Sequence, residues 1–99
     1  MRSTRLLIER MSVDDDDVGV GYADVFVVVR DGEEGPGPND WEVTLQSAST
    51  HPLAPGEHDL RIESADGALL TGRALLRFSD GSRHLFRGDS RLVGYVERD

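Results

Sequence analysis

The strongest constraint on the fold is a two-residue alternation of apolar and polar side chains in several short segments. Trp41, Val43 and Leu45 alternate with polar residues, and Leu60 and Ile62 do the same further along the chain. This period places the apolar residues on one face of an extended chain, as in antiparallel strands with one buried face. No segment shows a convincing 3.6-residue period, so the pattern favours an all-β fold.

Turn-forming residues divide the chain into seven predicted strands. Glycine, proline and aspartate recur at short intervals, for example at Asp66-Gly67 and Asp80-Gly81. The segment 23–30 is apolar and β-branched on both faces, which is typical of a central strand. The predicted strands are residues 4–11, 20–30, 41–48, 57–64, 68–78, 82–87 and 91–97.

The length and the strand number predict one all-β domain over residues 1–99. Seven strands in 99 residues indicate a small antiparallel barrel or sandwich that ends in a β-meander. Gly72 and Gly94 lie within predicted strands, where glycine often marks a bend at a barrel corner, so a barrel is slightly favoured. Two acidic segments, at about 12–19 and 31–40, are predicted to be loops.

Two Asp-Gly pairs predict hairpins that share one core face. If residues 79–81 form a loop with Gly81 left-handed, the apolar residues of both flanking strands point inward. A two-residue loop at 80–81 would separate them, because a shift of one residue exchanges the two faces. The predicted pairs are therefore Phe78 with Ser82, Leu76 with His84, and Ala74 with Phe86. A loop at residues 65–67 likewise pairs Ile62 with Leu70, Leu60 with Gly72, and His58 with Ala74.

The outer face of the 73–87 hairpin is predicted to carry four arginines. In this register Arg77 lies opposite Arg83, and Arg73 lies opposite Arg87. Like charges in opposite positions are unfavourable by up to about 1 kcal/mol. Either nearby carboxylates neutralise the arginines, with Asp59 opposite Arg73, or an acidic partner does so. The candidate binding face consists of Arg73, Leu75, Arg77, Arg83, Leu85 and Arg87.

Charge is distributed unevenly along the chain. The formal net charge is −8, and all 11 basic residues are arginine. Residues 14–42 contain ten acids and one arginine, whereas residues 69–91 contain five arginines and two aspartates. The net negative charge argues against binding to nucleic acid, which requires a basic face. The expected partner is another protein or a second copy of the chain in a homodimer, with a small anionic ligand as a further possibility.

The sequence favours a soluble, cytoplasmic protein. It contains no cysteine, which excludes disulfides and fits a reducing compartment. No apolar run approaches the roughly 18 residues of a membrane helix, so no membrane association is expected. The first residues, MRSTRLLIERMSV, contain too short and too charged an apolar stretch for a signal peptide.

No pattern in the sequence indicates a catalytic residue, a metal site or a cofactor. The acidic run at 14–17 fails as an EF-hand loop because Val18 and Val25 occupy ligand positions. The histidines 51, 58 and 84 share no metal-ligand spacing. The tripeptide RGD at 87–89 is interpreted as turn chemistry. The run RGDSRLVG departs from the PilZ motif for cyclic dinucleotides, because Asp89 and Ser90 are adjacent, and no family is assigned.

A non-catalytic accessory or protein-interaction module is therefore the main functional prediction. The alternative is a barrel that binds a small anionic or apolar molecule at its mouth, with Trp41, His58 and His84 as pocket residues. Each of these residues also has a structural interpretation, as a core tryptophan or as a partly buried, hydrogen-bonded histidine. A small enzyme is the third and least favoured class.

Overall fold

The computed structural model describes residues 2–30, 40–48 and 53–95, and every regular element within them is a β-strand. The all-β prediction is therefore confirmed. None of the described residues belongs to a helix long and apolar enough to span a bilayer. The strands are β1 (Arg2–Val13), β2 (Asp16–Val18), β3 (Val20–Val29), β4 (Asp40–Ser47), β5 (Gly56–Ser64), β6 (Leu69–Asp80) and β7 (Arg83–Gly88).

Six of the strands close into an antiparallel barrel. Their order is β1-β3-β4-β7-β6-β5, and β5 pairs back with β1. The short strand β2 extends β1 as a hairpin outside this closed ring. Consecutive strands β5, β6 and β7 lie side by side, which confirms the predicted meander. Of the two predicted architectures, the structure shows the barrel.

Alternate residues of the strands fill the barrel interior. Most of the inward side chains are apolar and leave almost no exposed surface, and a few polar residues, among them His58, Ser64 and His84, are buried with them. Trp41 lies at one end of this core, where its indole Nε1 donates a hydrogen bond of 2.7 Å to the carbonyl of Ser90. The completely buried apolar residues include Val25, Val27, Val43, Leu45, Ile62, Leu70, Phe86 and Leu92.

The acidic segment at 12–19 is largely strand, which corrects the prediction of a loop. Only Asp14 and Asp15 form the turn between β1 and β2, with φ angles of 51° and 70°. Two consecutive positive φ angles are the requirement of a tight type I′ hairpin turn. In the second acidic segment, Asp40 begins β4, and residues 31–39 lie outside the described residues.

The predicted last strand, residues 91–97, is not a strand in the described chain. After β7 the backbone runs beside β6 and makes an isolated bridge between Thr71 and Val93. The hydroxyl of Ser90 accepts a hydrogen bond from the backbone N–H of Arg73, where a regular strand would offer a carbonyl. The chain turns inward here because Leu92 is completely buried in the core. Residues 96 and 97 lie outside the described residues.

The hairpin of β6 and β7 has a different register from the predicted one. Gly81 has a positive φ of 61°, as expected, but Gly81 and Ser82 form a two-residue connection. A one-residue bulge at Arg77 follows, and beyond it Leu76 lies opposite Phe86 on the inner side. The bulge shifts the register by one residue, so that the apolar face is buried although the turn has only two residues. Its consequence is that Phe78, predicted to point inward, is 51% exposed.

The other hairpin of the meander has the predicted register. Ile62 lies opposite Leu70, and Leu60 lies opposite Gly72. His58 lies opposite Ala74, and both side chains are buried. The turn at residues 65–67 contains Gly67 with a φ of 93°, as a three-residue loop closed by a left-handed glycine requires.

Candidate interaction surface

The predicted binding face lies along β6 and β7, but its residues are arranged differently. Its four arginines are exposed, and its two leucines, Leu75 and Leu85, are partly buried. The predicted pairs of facing arginines do not form. Instead Arg87 lies between Leu75 and Glu42, and Arg83 lies between Asp80 and Gln46. The repulsion expected from facing guanidiniums is therefore absent.

Arg73 is neutralised within the barrel wall. Its Nε lies 3.3 Å from Oδ1 of Asp59, and its Nη1 lies 3.8 Å from Oε2 of Glu57. Asp59 is the cross-strand neighbour of Arg73, as the sequence predicts. Arg73 thus belongs to an arginine–acid lattice on the solvated wall and offers little charge to a partner.

The other three arginines differ from Arg73. Within residues 2–30, 40–48 and 53–95, no ion pair joins Arg77, Arg83 or Arg87 to a carboxylate. Arg83 and Arg87 still have Asp80 and Glu42 in the opposite positions, which lowers the local positive potential. Arg77 is the bulge residue and has no residue directly opposite it. It is therefore the least compensated cation of the face.

The bulge also places an aromatic ring beside Arg77. Phe78 lies opposite Leu85 on the outer side, and half of its surface is exposed. It borders a groove of about 410 Å³, which we call the Phe78 groove. The groove is lined by Leu53, Pro55, Leu76, Arg77, Phe78, Ser79 and Gly81. We define the interaction surface as Leu75, Arg77, Phe78, Arg83, Leu85 and Arg87.

Sequence reasoning missed Phe78 as a surface residue. Residues 74, 75, 76 and 78 are all apolar, so either side of β6 can be read as its inner face. A bulge inserts one residue without changing this pattern. Only the pairing of β6 with β7 shows which apolar residues face outward.

The three residues suggested for a ligand pocket lie at separate places in the core. Trp41 bonds to Ser90, and Nδ1 of His84 lies 2.8 Å from the hydroxyl of Ser79. A groove of about 220 Å³ beside Trp41 reaches neither His58 nor His84. It is lined by Phe26, Val28, Arg30, Asp40, Trp41, Glu42, Arg87 and Gly88.

His58 holds two parts of the barrel end together. Its side chain is 7% exposed. Its Nδ1 lies 2.6 Å from Oδ2 of Asp14, and its Nε2 lies 2.6 Å from the carbonyl oxygen of Ala54. A carboxylate and a carbonyl are both hydrogen-bond acceptors, so the imidazole donates through both nitrogens. Only the imidazolium form, with both nitrogens protonated, satisfies the two contacts at the same time.

The surroundings of His58 and Asp14 favour their charged forms. Burial by itself would lower the pKa of His58, but the hydrogen bonds to Asp14 and Ala54 and the charges of Asp14 and Asp59 outweigh it. The net pKa of His58 is raised above its ordinary value of 6.5. The backbone N–H of Asp59 is the main reason that the pKa of Asp14 is lowered below 3.8, followed by the hydrogen bond to His58.

A third, more polar groove of about 520 Å³ lies along β5 and β6. Two guanidiniums and three carboxylates border it, so its charge is mixed. No group of three histidine, aspartate or glutamate side chains in the described chain is placed to hold a metal ion. The lining residues are Ser12, Asp15, Asp59, Leu60, Arg61, Thr71, Gly72, Arg73, Asp89 and Ser90.

Comparisons with known proteins do not assign a function. The chain matches no protein-family model, and comparisons with curated proteins and with solved structures found no match. Function is therefore inferred from the geometry of the surface and from its charges.

Proposed function

We propose that this protein is a non-catalytic interaction module that binds an acidic segment of another protein through its interaction surface. One observation carries the proposal. The β6 bulge places a half-exposed Phe78 beside Arg77, the cation with no opposite residue. Aromatic residues and arginine are the side chains most enriched at the energetic centres of protein interfaces.

The apolar part of the surface gives a partner something to bury. Leu85 lies opposite Phe78, and Leu53 and Leu76 extend the apolar area along the groove. Covering apolar surface contributes about 25 cal/mol for each Å² removed from water. We therefore expect the partner to place an apolar side chain in the Phe78 groove.

The charged part of the surface selects an acidic partner. The guanidiniums of Arg77, Arg83 and Arg87 can each bind a carboxylate with two hydrogen bonds. The whole chain has a net charge of −8, so an acidic partner is repelled elsewhere on the molecule. This repulsion orients the encounter toward the arginine-bearing face.

Selection from a displayed random-peptide library tests the proposal. Wild-type protein is expected to enrich acidic peptides that contain an apolar residue. The double variant Arg77→Glu with Arg83→Glu and the single variant Phe78→Ser are expected to lose those peptides while remaining folded. Arg61→Glu is a matched control, because Arg61 is an exposed arginine on β5, outside the interaction surface. Enrichment of basic peptides, or equal enrichment by the double variant, would contradict the proposal.

Light scattering distinguishes another protein from a second copy of the chain. A homodimer on this surface would be a concentration-dependent species that Arg77→Glu with Arg83→Glu abolishes. A monomer at all concentrations leaves a different protein as the partner. A homodimer that the double variant abolishes would contradict the proposal that the partner is a different protein.

Binding of a small anionic molecule is the second candidate function, and the polar groove favours it. Arg61 and Arg73 both border this groove, together with several hydroxyl groups. A screen of small carboxylates and phosphates by thermal unfolding tests this alternative. A saturable increase in Tm that Arg61→Gln removes would support it, because a ligand that binds only the folded state stabilises that state. No increase in Tm with any anion would exclude a site of useful affinity.

A further inference from the structure

The Phe78 groove and the histidine at the barrel end share one short segment. Ala54, whose carbonyl accepts a hydrogen bond from His58, lies between Leu53 and Pro55. Leu53 and Pro55 line the groove opposite the β6 bulge. The His58–Ala54 hydrogen bond therefore holds one wall of the groove in place.

We propose that His58 is a proton-controlled latch on the interaction surface. With both ring nitrogens protonated, it holds residues 53–55 as the wall of the Phe78 groove. When the proton leaves to solvent, that wall is released and the partner binds more weakly. This regulation rests on the proposed function, because it concerns the same surface.

The chemistry of the two acceptors determines which hydrogen bond is lost. Neutral imidazole carries one N–H, so it cannot donate to both Asp14 and Ala54. The Asp14 carboxylate is the stronger acceptor because it is charged, and it keeps the proton on Nδ1. The bare Nε2 then faces the Ala54 carbonyl at a distance of 2.6 Å, and two acceptors this close repel each other. Ala54 is therefore the group that moves.

Asp14 is held independently of His58 and serves as the fixed side of the latch. Its Oδ1 accepts a hydrogen bond of 2.8 Å from the backbone N–H of Asp59, and its own N–H donates to the Asp59 carbonyl at 2.8 Å. These two bonds tie the β1–β2 turn to β5 in either protonation state of His58. By contrast, residues 53–55 precede β5 and belong to no strand.

Few other groups lie close enough to His58 to change its pKa. Its charged neighbours in the described chain are the carboxylates of Asp14 and Asp59. From β6 it faces Ala74, and from β7 the ring of Phe86 lies edge-on at a centroid distance of 6.2 Å. Neither residue ionises. The latch is thus expected to follow a single proton, the one that Nε2 of His58 donates to Ala54.

Nuclear magnetic resonance of the isolated protein tests the latch without a partner. The imidazole resonances of His58 are expected to titrate with a midpoint above 6.5. The amides of Leu53, Ala54 and Gly56 should shift with the same midpoint, whereas the amide of Asp59 should move much less. Unchanged amides at 53–56 through the His58 titration would refute the latch.

Two variants of the β1–β2 turn provide a matched pair. Asp14→Asn removes the charge that stabilises the imidazolium, so the midpoint of His58 should shift to lower pH. With its Oδ1 on the backbone N–H of Asp59, the asparagine presents an N–H donor to Nδ1, so neutral His58 keeps its proton on Nε2 and its bond to Ala54. The amides of residues 53–56 should therefore no longer follow the His58 titration in this variant. Asn tolerates the left-handed φ of this position, so the turn is retained. Asp15→Asn is the control. Asp15 also has a positive φ, but it makes no hydrogen bond to His58, whose two nitrogens contact Asp14 and Ala54. Equal midpoints in the two variants would contradict the proposal.

A binding measurement separates the latch from the proposed function. The probe is an acidic peptide selected on the wild-type protein. Its affinity should fall roughly tenfold, or 1.4 kcal/mol, as pH rises through the His58 midpoint. His58→Gln should remove this dependence. If amides 53–56 follow His58 but the peptide affinity does not, the latch does not control the surface, whereas failure to select any acidic peptide refutes the docking proposal alone.

Discussion

The indole of Trp41 covers Gly72 so closely that a β-carbon on Gly72 would lie 2.6 Å from Cζ2. A β-carbon on Gly88 would overlap the same ring. These two glycines lie on the neighbouring strands β6 and β7, where the ring of Trp41 packs against both. Glycine is required inside both strands because the Trp41 ring occupies the space of a β-carbon. Backbone freedom is not the reason, since neither glycine has a positive φ.

Replacing either glycine is expected to destabilise the fold. Gly72→Ala and Gly88→Ala force the buried Trp41 ring to move, and overpacking of this kind typically costs about 1–3 kcal/mol. Chemical denaturation monitored by the fluorescence of the single tryptophan measures the effect. Gly19→Ala is the control, because its β-carbon would meet Ala48 Cβ at an ordinary distance of 3.5 Å. Equal stability of all three variants would show that the ring is not closely packed on the glycines.

The segment after β7 is expected to be part of the core despite its irregular backbone. Leu92 is completely buried, so Leu92→Ala should lower the free energy of unfolding by about 2–5 kcal/mol. The adjacent Val93 is 51% exposed, and Val93→Ala should have a much smaller effect. Denaturant titration of the two variants measures this difference. Similar small effects would mean that residues 89–95 do not contribute to the core.

The two phenylalanines of the β6–β7 hairpin are expected to differ sharply. Phe86 is completely buried, so Phe86→Ala should destabilise the barrel by about 3–5 kcal/mol. Phe78 is half exposed, and Phe78→Ala should leave most of the stability intact. Thermal unfolding of both variants tests the bulged register. A large destabilisation by Phe78→Ala would instead support the register without the bulge.

Stability is expected to depend on pH through His58 and Asp14. The pKa of His58 is raised in the folded state, so its contribution is complete below 6.5 and is lost as pH rises through the folded pKa. The pKa of Asp14 is lowered, so its contribution is complete above 3.8 and is lost as pH falls through the folded pKa. The difference in unfolding free energy between wild type and His58→Gln should therefore shrink from pH 6 toward alkaline pH, as about one proton is released.

Urea titrations across this range provide the measurement. The difference between wild type and His58→Gln isolates this histidine from the many surface carboxylates, which are shared by both proteins. An unfolding free-energy difference that stays constant, or grows, at alkaline pH would show that His58 is not stabilised as the imidazolium.

Local sequence patterns predicted much of the fold correctly. Alternation in β4 and β5 identified strands whose inner residues are buried, and the turn at 65–67 predicted the β5–β6 pairing residue by residue. The ion pair of Arg73 with Asp59 follows from that same pairing. These predictions succeeded because a strand's two faces and a short turn's register depend on neighbouring residues alone.

The candidate site depended on features that local patterns do not encode. The Asp80-Gly81 turn accommodates either loop length, and only the burial of Phe86 against Leu76 selects a bulge at Arg77. The predicted facing arginines were wrong for this reason, and so was the inward position of Phe78. A hairpin in isolation contains no information about which compensating bulge the rest of the barrel requires.

By itself, the sequence determined that this chain forms strands, where most of them turn, and that its charge is concentrated in separate segments. The tertiary structure alone decided that β5 closes the barrel on β1, that Phe78 faces outward, and that His58 meets Asp14 across 44 positions of the chain. The physical reason is the distance along the chain over which each interaction acts. Alternation and turn chemistry act between neighbours, whereas closure and hydrogen-bond partners depend on packing between residues far apart in the chain.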